Sequence, residues 1–172
     1  QQIDFLRGDS KDVYGRFIND ILNKNHNILW LELTHNYIQW LFPLREKSNA
    51  AYSVPLTDEM VEIIHNDSDI LTNIKKAFAM MLDFYGFHLD KDTDEICIMK
   101  SKSWMMIHWL NPYNHNFLRI TRILSCLCIC GMNDLAENIR FHTPVEYRRT
   151  EENVAILDIA KYKLDDEEWK PE

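Results

Sequence analysis

Four polar side chains interrupt an otherwise apolar segment in the first quarter of the chain, and their types suit acid–base chemistry or ligand binding. Glu32, His35, Asn36 and Gln39 recur at spacings of three and four within residues 28–41, so a helix would carry them on one face. A histidine titrates near neutral pH and can act as a general acid or base. The alternative is that these groups form hydrogen bonds that fix the packing of the helix. The residues alone favour this structural alternative.

A second polar stripe is predicted on a helix over residues 115–130. His115, Arg119 and Arg122 recur at spacings of four and three, which places them along one side of that helix. Two guanidinium groups and an imidazole near a helix N-terminus would suit a phosphate, carboxylate or sulfate group. The alternative is that the arginines pair with internal carboxylates or cap helix ends. No feature of the sequence brings this stripe together with the first one.

Common catalytic and metal-binding motifs are missing from the sequence. It contains no glycine-rich phosphate loop, no Gly-x-Ser-x-Gly and no His-Glu-x-x-His. Alternating acids at residues 90–94 resemble the start of a calcium loop but lack its glycine and distal glutamate. Cys126 and Cys130 share a helix face while Cys128 points elsewhere, which does not make a thiolate metal site. We therefore expect no metal, no cofactor and free, buried thiols in a reducing compartment.

Charge and length restrict the class of protein. The chain has 172 residues, a net charge of −8 and a pI near 5.3, whereas a general nucleic-acid or anionic-membrane binder would be basic. The longest apolar stretch, residues 123–132, is shorter than the roughly 20 residues that span a bilayer. No signal peptide is recognised at the start. We expect one soluble, folded domain.

The spacing of apolar residues predicts an all-α fold, a single globular domain of about eight helices around a central apolar helix at residues 28–41. Four Gly and five Pro are too few for a turn-rich β-sandwich. Thr57 is the clearest start signal and Gly86 the clearest stop signal. Residues 95–99 are predicted as a short strand or an extended turn. The predicted helices cover about residues 11–23, 28–41, 58–66, 68–85, 104–110, 115–130, 133–141 and 150–162.

Four sequence blocks together resemble the opioid growth factor receptor conserved region. They read LELTHNYIQWLFPLRE, PLT, MMLDFYG and HNFLRITRIL, and occupy residues 31–46, 55–57, 80–86 and 115–124. The first and last blocks are long and rich in Trp, His and Arg, and the order and spacing of all four are similar to the family. The resemblance covers about residues 3–162. We accordingly predict a conserved domain at residues 1–164 and an acidic tail at residues 165–172.

The resemblance implies a domain that is not an enzyme and that binds an enkephalin-like peptide or a protein partner. The family is described as perinuclear and nuclear and as restraining cell proliferation, which implies an intracellular protein, either nuclear, perinuclear or cytoplasmic. This chain has no nuclear-localisation run beyond Arg148 and Arg149. Nuclear action and growth control are therefore not carried over directly.

Two hypotheses follow for the binding site. In the first, a peptide or protein partner lies in a groove lined by Tyr37, Trp40 and Phe42. Glu32 would bind an amine of that partner, and an arginine of the second stripe would bind a carboxylate. In the second, the two stripes form an anion- or nucleotide-binding site with cryptic acid–base chemistry. The candidate ligand-binding residues are Glu32, His35, Tyr37, Gln39, Trp40, Arg45, His115, Asn116, Arg119 and Arg122.

Overall fold

The computed structural model describes residues 1–48, 52, 54–99, 109, 114–141, 162–164 and 168–171, with the backbone alone at residues 97–99, 139–141, 162–164 and 168–171. This part of the chain contains eight α-helices and four short strands. The helices are α1 (Gln2–Arg7), α2 (Ile18–Leu22), α3 (Ile28–Leu33), α4 (Ile38–Leu41), α5 (Asp58–Asn66), α6 (Ser68–Tyr85), α7 (Asn116–Ile129) and α8 (Asn133–Phe141). The strands are β1 (Phe87–Leu89), β2 (Ile96–Met99), β3 (Tyr162–Leu164) and β4 (Glu168–Pro171). The predicted helical fold is confirmed.

The longest helix, α6, forms the centre of the fold and packs against α1, α2, α5 and β1. Its N-cap residue Asp67 accepts hydrogen bonds from the backbone amides of Asp69 and Ile70. Gly86 ends the helix in the left-handed region with φ 94°, which glycine adopts without steric cost. The predicted extent of this helix and its stop are therefore confirmed. The prediction that a helix at residues 28–41 is central is wrong, because α6 occupies the centre of the fold.

The helix predicted over residues 28–41 is divided into α3 and α4 by a bend. Thr34 leaves helical geometry with φ −87° and ψ 122°, and both β-branched Thr and Asn are weak helix formers. Arg16 donates to the side-chain oxygen of Asn36 at 2.9 Å and to its carbonyl oxygen at 3.2 Å. These distant donors stabilise the bend, so the prediction of one continuous helix is wrong.

Helix formation in residues 11–23 is limited to the second half, as α2. The carboxylate of Asp12 accepts hydrogen bonds from the backbone amides of Tyr14 and Arg16, both at 2.9 Å. This local bonding competes with helix, and Gly15 adopts φ 81° within the same turn. The helix predicted at residues 11–23 is therefore too long. The helix α1 lies outside all of the predicted helices.

A small antiparallel sheet accompanies the helices, in the order β1-β2-β4-β3. In the first pair, Phe87 lies opposite Ile98 and Leu89 lies opposite Ile96. The strand or extended turn predicted at residues 95–99 is confirmed as β2. The other three strands were not predicted. The strand β4 falls within the predicted acidic tail and pairs with β2. The division of the chain at residue 164 stays a prediction.

One core of buried side chains joins the helices to β1, and Trp40, Trp109 and Tyr37 are among its largest members. Within the described ranges, no helix has both the length and the apolar content needed to cross a membrane. The helices predicted at residues 104–110 and 150–162 lie almost entirely outside the described residues.

Cys126 on α7 and Cys130 at its end are free, buried thiols, as predicted, whereas the burial predicted for Cys128 is wrong. Cys126 and Cys130 are buried, and their sulfur atoms lie 3.9 Å apart. Cys128 is exposed, because it lies on the opposite side of the helix. The hydrogen bond with Cys130, and after it burial, raises the pKa of Cys126, so this thiol is protonated and packs as a small apolar side chain.

Candidate functional site

The two predicted polar stripes meet where the C-terminal end of α3 faces the first turn of α7. His115 Nε2 lies 2.9 Å from Glu32 Oε1, and the rings of His35 and His115 stand edge to face with centroids 5.4 Å apart. The side chains of Glu32 and His115 are 30% and 44% exposed, and His35 is also exposed. We call these three residues the rim. The sequence left open whether the stripes meet, and the fold brings them together.

Beneath the rim lies a buried polar layer of Tyr85, Asn116 and Arg119, which we call the floor. The hydroxyl of Tyr85 donates to Asn116 Oδ1 at 3.2 Å. Asn116 Nδ2 in turn donates to Glu32 Oε2 at 3.1 Å. The amide of Asn116 therefore connects a buried phenol to the rim carboxylate and fixes the direction of that carboxylate.

Arg119 closes the C-terminal end of α3. Its Nη1 donates to the carbonyl oxygen of Leu31 at 2.8 Å. Its Nη2 donates to the carbonyl oxygens of Thr34 and Glu32 at 3.0 and 3.3 Å. The last carbonyls of a helix have no partner inside the helix and form the negative end of its dipole. A buried guanidinium supplies hydrogen-bond donors to these carbonyls and a positive charge opposite the dipole. The same group lies over the ring of Tyr37, 5.6 Å from its centroid.

Arg122 lies one turn after Arg119 on α7 and caps the C-terminal end of α4. Its Nη1 donates to the carbonyl oxygen of Phe42, the residue that ends α4, at 2.9 Å. Burial lowers the pKa of the Arg122 guanidinium, while Cys126 and Glu46 act in the opposite direction. The two arginines of the second stripe thus cap two successive short helices. Their geometry favours the capping alternative over an anion site.

The surroundings of the site keep its phenols neutral and disfavour a charged His115. Burial raises the pKa of Tyr37 to about 12 and the pKa of Tyr85 well above its ordinary value, so both hydroxyls remain hydrogen-bond donors. Burial also lowers the pKa of His115, with Arg119 and His35 acting in the same direction and Glu32 acting against them. The charge of His115 therefore depends on the rim carboxylate beside it.

Two aromatic candidates belong to the core and not to a groove. Tyr37 and Trp40 are 0% and 1% exposed. The hydroxyl of Tyr37 donates to the carbonyl oxygen of Leu31 at 2.8 Å, and the ring of Trp40 packs edge to face against Phe5. Phe42, the third residue of the predicted groove, is also fully buried. The groove prediction is wrong because a ligand would have to displace the core to reach these rings.

Arg45 and Gln39 are the two remaining candidates. Arg45 forms an exposed ion pair with Asp58, a kind of contact that contributes little to stability. Gln39 is partly buried, and its side-chain oxygen lacks a hydrogen-bond partner among the described residues. Neither observation connects these side chains to the rim, so their part in binding stays a prediction.

Three exposed leucines beside the rim were missed by the sequence interpretation. Leu29 and Leu33 on α3 are 69% and 65% exposed, and Leu118 on α7 is 62% exposed. Helix geometry places Leu29 and Leu33 together on one face of α3, next to Glu32, and Leu118 one turn after His115 on α7. The available signal was the four-residue spacing of Leu29 and Leu33, which the assumption of a fully buried helix concealed. An exposed apolar pair such as Leu29 and Leu33, next to a polar rim, is a candidate for part of a binding surface.

The rim offers hydrogen bonds and charge. A carboxylate and two imidazoles at a surface can bind an amine or a hydroxyl group of a partner. Among the described residues, no group of three or more His, Cys, Asp or Glu side chains is arranged to hold a metal ion.

Comparison with known proteins shows the family of the chain. The family described as "Opioid growth factor receptor (OGFr) conserved region" matches residues 9–153. The Opioid growth factor receptor of Rattus norvegicus is 38% identical over 151 residues, which cover 84% of this chain and 26% of that protein. The receptor of Homo sapiens is 39% identical over 132 residues, covering 74% and 19% respectively. Opioid growth factor receptor-like protein 1 of Mus musculus is 37% identical over 115 residues, covering 66% and 24%.

The chain spans about a quarter of the length of the curated relatives that it matches. No solved structure matches it. Because the family match extends over most of the chain and includes α2 to α8 with the rim and the floor, the chain belongs to the opioid growth factor receptor conserved-region family.

Proposed function

We propose that this chain is a non-enzymatic ligand-binding domain whose rim binds a peptide with a free amine, for which enkephalin is the first candidate. One observation carries the proposal. A partly exposed carboxylate, Glu32, stands beside two imidazoles at the surface, and Leu29 and Leu33 are exposed on the same helix. The relatives support it because their names describe receptors of an opioid growth factor.

Glu32 retains acceptor capacity after its internal contacts are counted. The two oxygens of a carboxylate provide about four acceptor positions. His115 occupies one of these at Oε1, and Asn116 contacts Oε2 at 3.1 Å. The side chain is 30% exposed, so an ammonium group can approach it from solvent. A carboxylate that is already held in place loses little conformational entropy on binding.

The exposed leucines supply the apolar part of this surface. Full burial of one leucine side chain contributes about 1.5–3 kcal/mol relative to its exposure. Leu29, Leu33 and Leu118 are each more than 60% exposed in the free chain. A peptide that covers them gains affinity from apolar contact, while Glu32 sets its orientation through the amine.

We extend the proposal to an intracellular place of action, nuclear, perinuclear or cytoplasmic, and to a part in the negative regulation of cell growth. The free thiols of Cys126 and Cys130 support a reducing compartment. The growth role rests on the family relation. Since the chain spans about a quarter of its relatives, the proposal concerns what this domain contributes to such a role.

Calorimetry with enkephalin tests the binding site. We expect saturable binding by the wild-type chain and a loss of at least tenfold in affinity in Glu32→Gln, which removes the charge but keeps the shape. Acetylation of the peptide amine removes the partner charge and is expected to have the same effect. Glu62→Gln, at an exposed position of α5, is the matched control and is expected to bind like wild type.

Two kinds of result would contradict the proposed site. Equal affinity of Glu32→Gln and wild type, or of the free and acetylated peptides, contradicts the role of the rim. Heat from nucleotides or phosphate in the absence of heat from enkephalin supports the anion hypothesis in its place.

A further inference from the structure

A recess of about 500 Å³ lies between α2, α6 and β1 and shares no residue with the rim or the floor. Its apolar lining consists of Leu22, Ala79, Met80 and Leu89. Recesses of this size, with an apolar wall and a few polar groups at the edge, are typical of small-molecule sites.

The polar edge of this recess is basic in an otherwise acidic protein. Lys76 on α6 and Lys91 in the turn after β1 are exposed there, and neither takes part in an ion pair within the described ranges. Asp83 is the one carboxylate among the described lining residues. Counting its lysines and its aspartate, the lining carries two positive charges and one negative charge in a chain with a net charge of −8.

The carboxylate of Asp83 already has a partner. His26 Nδ1 lies 2.8 Å from Asp83 Oδ2, and the aspartate is only 15% exposed. His26 adopts the left-handed region with φ 69°, a strained conformation for a residue other than glycine. The nearby Asp90 accepts hydrogen bonds from the amides of Asp92 and Thr93, both at 2.8 Å. These contacts fix the direction of both carboxylates without removing their charge, and the two lysines outnumber the one aspartate of the lining.

We infer that this recess binds a small anion with an apolar body, namely an aryl or alkyl carboxylate or phosphate ester. The apolar body packs on Leu22 and Met80, and the anionic oxygens pair with Lys76 and Lys91. The lysines give the site its preference for charge, and the apolar wall excludes fully hydrated ions such as inorganic phosphate. This inference is independent of peptide binding at the rim.

Backbone amide NMR titrations of the whole chain test this site with 3-phenylpropionate, phenyl phosphate and the uncharged 3-phenyl-1-propanol. We expect saturable shifts at residues 22–26, 76–83 and 88–91 with both anions, and at least fivefold weaker binding of the alcohol. The stronger of the two anions identifies the preferred head group. Shifts that spread over the surface, or that do not saturate, overturn the inference.

Variants locate the contacts. Lys76→Gln and Lys91→Gln are each expected to weaken anion binding about fivefold, the effect of one charge at contact distance near water. Lys47→Gln, an exposed lysine outside the recess, is the matched control, and an equal loss there contradicts a defined site. Ala79→Phe fills the recess and is expected to abolish binding, with circular dichroism as the check on folding. Glu32→Gln is expected to bind these anions like wild type, which separates this test from that of the rim.

Discussion

The rim and the floor lie at one contact between α3 and α7 and both consist of polar side chains, yet they differ in depth. In the floor, Arg119 is 6% exposed and donates to three carbonyl oxygens. In the rim, His115 is 44% exposed and pairs with Glu32. An unsatisfied buried polar group costs about 1–3 kcal/mol, whereas a half-exposed group exchanges a protein partner for water at little cost. Depth therefore separates the residues that hold the bend from those that are free to bind.

The largest effect on stability is expected from a substitution in the floor. Arg119→Met keeps most of the side-chain volume but removes the donors to the carbonyl oxygens that end α3. We expect a loss of about 3 kcal/mol in the free energy of unfolding, measured by urea denaturation, because buried acceptors are left without partners. Arg45→Met, at an exposed ion pair, is the control, with a change below about 0.5 kcal/mol. A similar small loss in both variants would mean that water caps α3 as well as the guanidinium does.

A smaller effect is expected from the other end of the floor. Tyr85→Phe removes the hydroxyl that donates to Asn116 Oδ1 and keeps the buried ring. We expect a loss of about 1 kcal/mol in the free energy of unfolding, the usual net contribution of one buried hydrogen bond. Tyr14→Phe changes a ring that is 40% exposed and is expected to be neutral. Equal stability of both variants and wild type would remove the phenol from the network.

The rim is expected to make stability depend on pH. Because the folded-state pKa of His115 is lowered, chiefly by burial, the unfolded chain binds its proton more readily, and the free energy of unfolding falls as the pH falls through the ordinary histidine range. Glu32→Gln removes the group that raises this pKa, so the decline should steepen. His115→Gln should flatten it. Urea denaturation at a series of pH values between about 5 and 8 measures this dependence, and a profile unchanged in both variants argues against the assignment.

The smallest effect on stability is expected in the rim, and it tests most directly whether the rim and the floor differ in role. At pH 7, Glu32→Gln is expected to change the free energy of unfolding by less than about 0.5 kcal/mol, since the carboxylate is partly exposed and its amide replacement keeps the volume. The same variant is expected to lose peptide binding. A large loss of stability would place Glu32 with the floor instead.

The start of α5 and the end of α6 were predictable because their signals act within a few residues. The side chain of Thr57 accepts a hydrogen bond from the amide of Met60 at 3.2 Å, as an N-cap does. Gly86 ends α6 in the left-handed conformation. The periodic apolar face between these two signals accounts for α5 and α6, the best-predicted part of the fold.

The bend between α3 and α4 was not predictable from its own residues. The donors that stabilise it come from far along the chain, because Arg16 is 20 positions from Asn36 and Arg119 is 85 positions from Thr34. Apolar periodicity across residues 28–41 therefore indicated one continuous helix. The same assumption hid the exposure of Leu29 and Leu33.

The sequence by itself determined the helical class, the family and the membership of the two polar stripes, since each depends on residue type and local spacing. Only the tertiary structure decided that the stripes meet and which residues lie in the floor and which in the rim. Depth depends on how α3 and α7 pack, and that packing is set by hydrogen bonds between residues more than 80 positions apart. Two members of the same polar stripe thus differ in role, because Arg119 caps a helix end whereas His115 faces solvent.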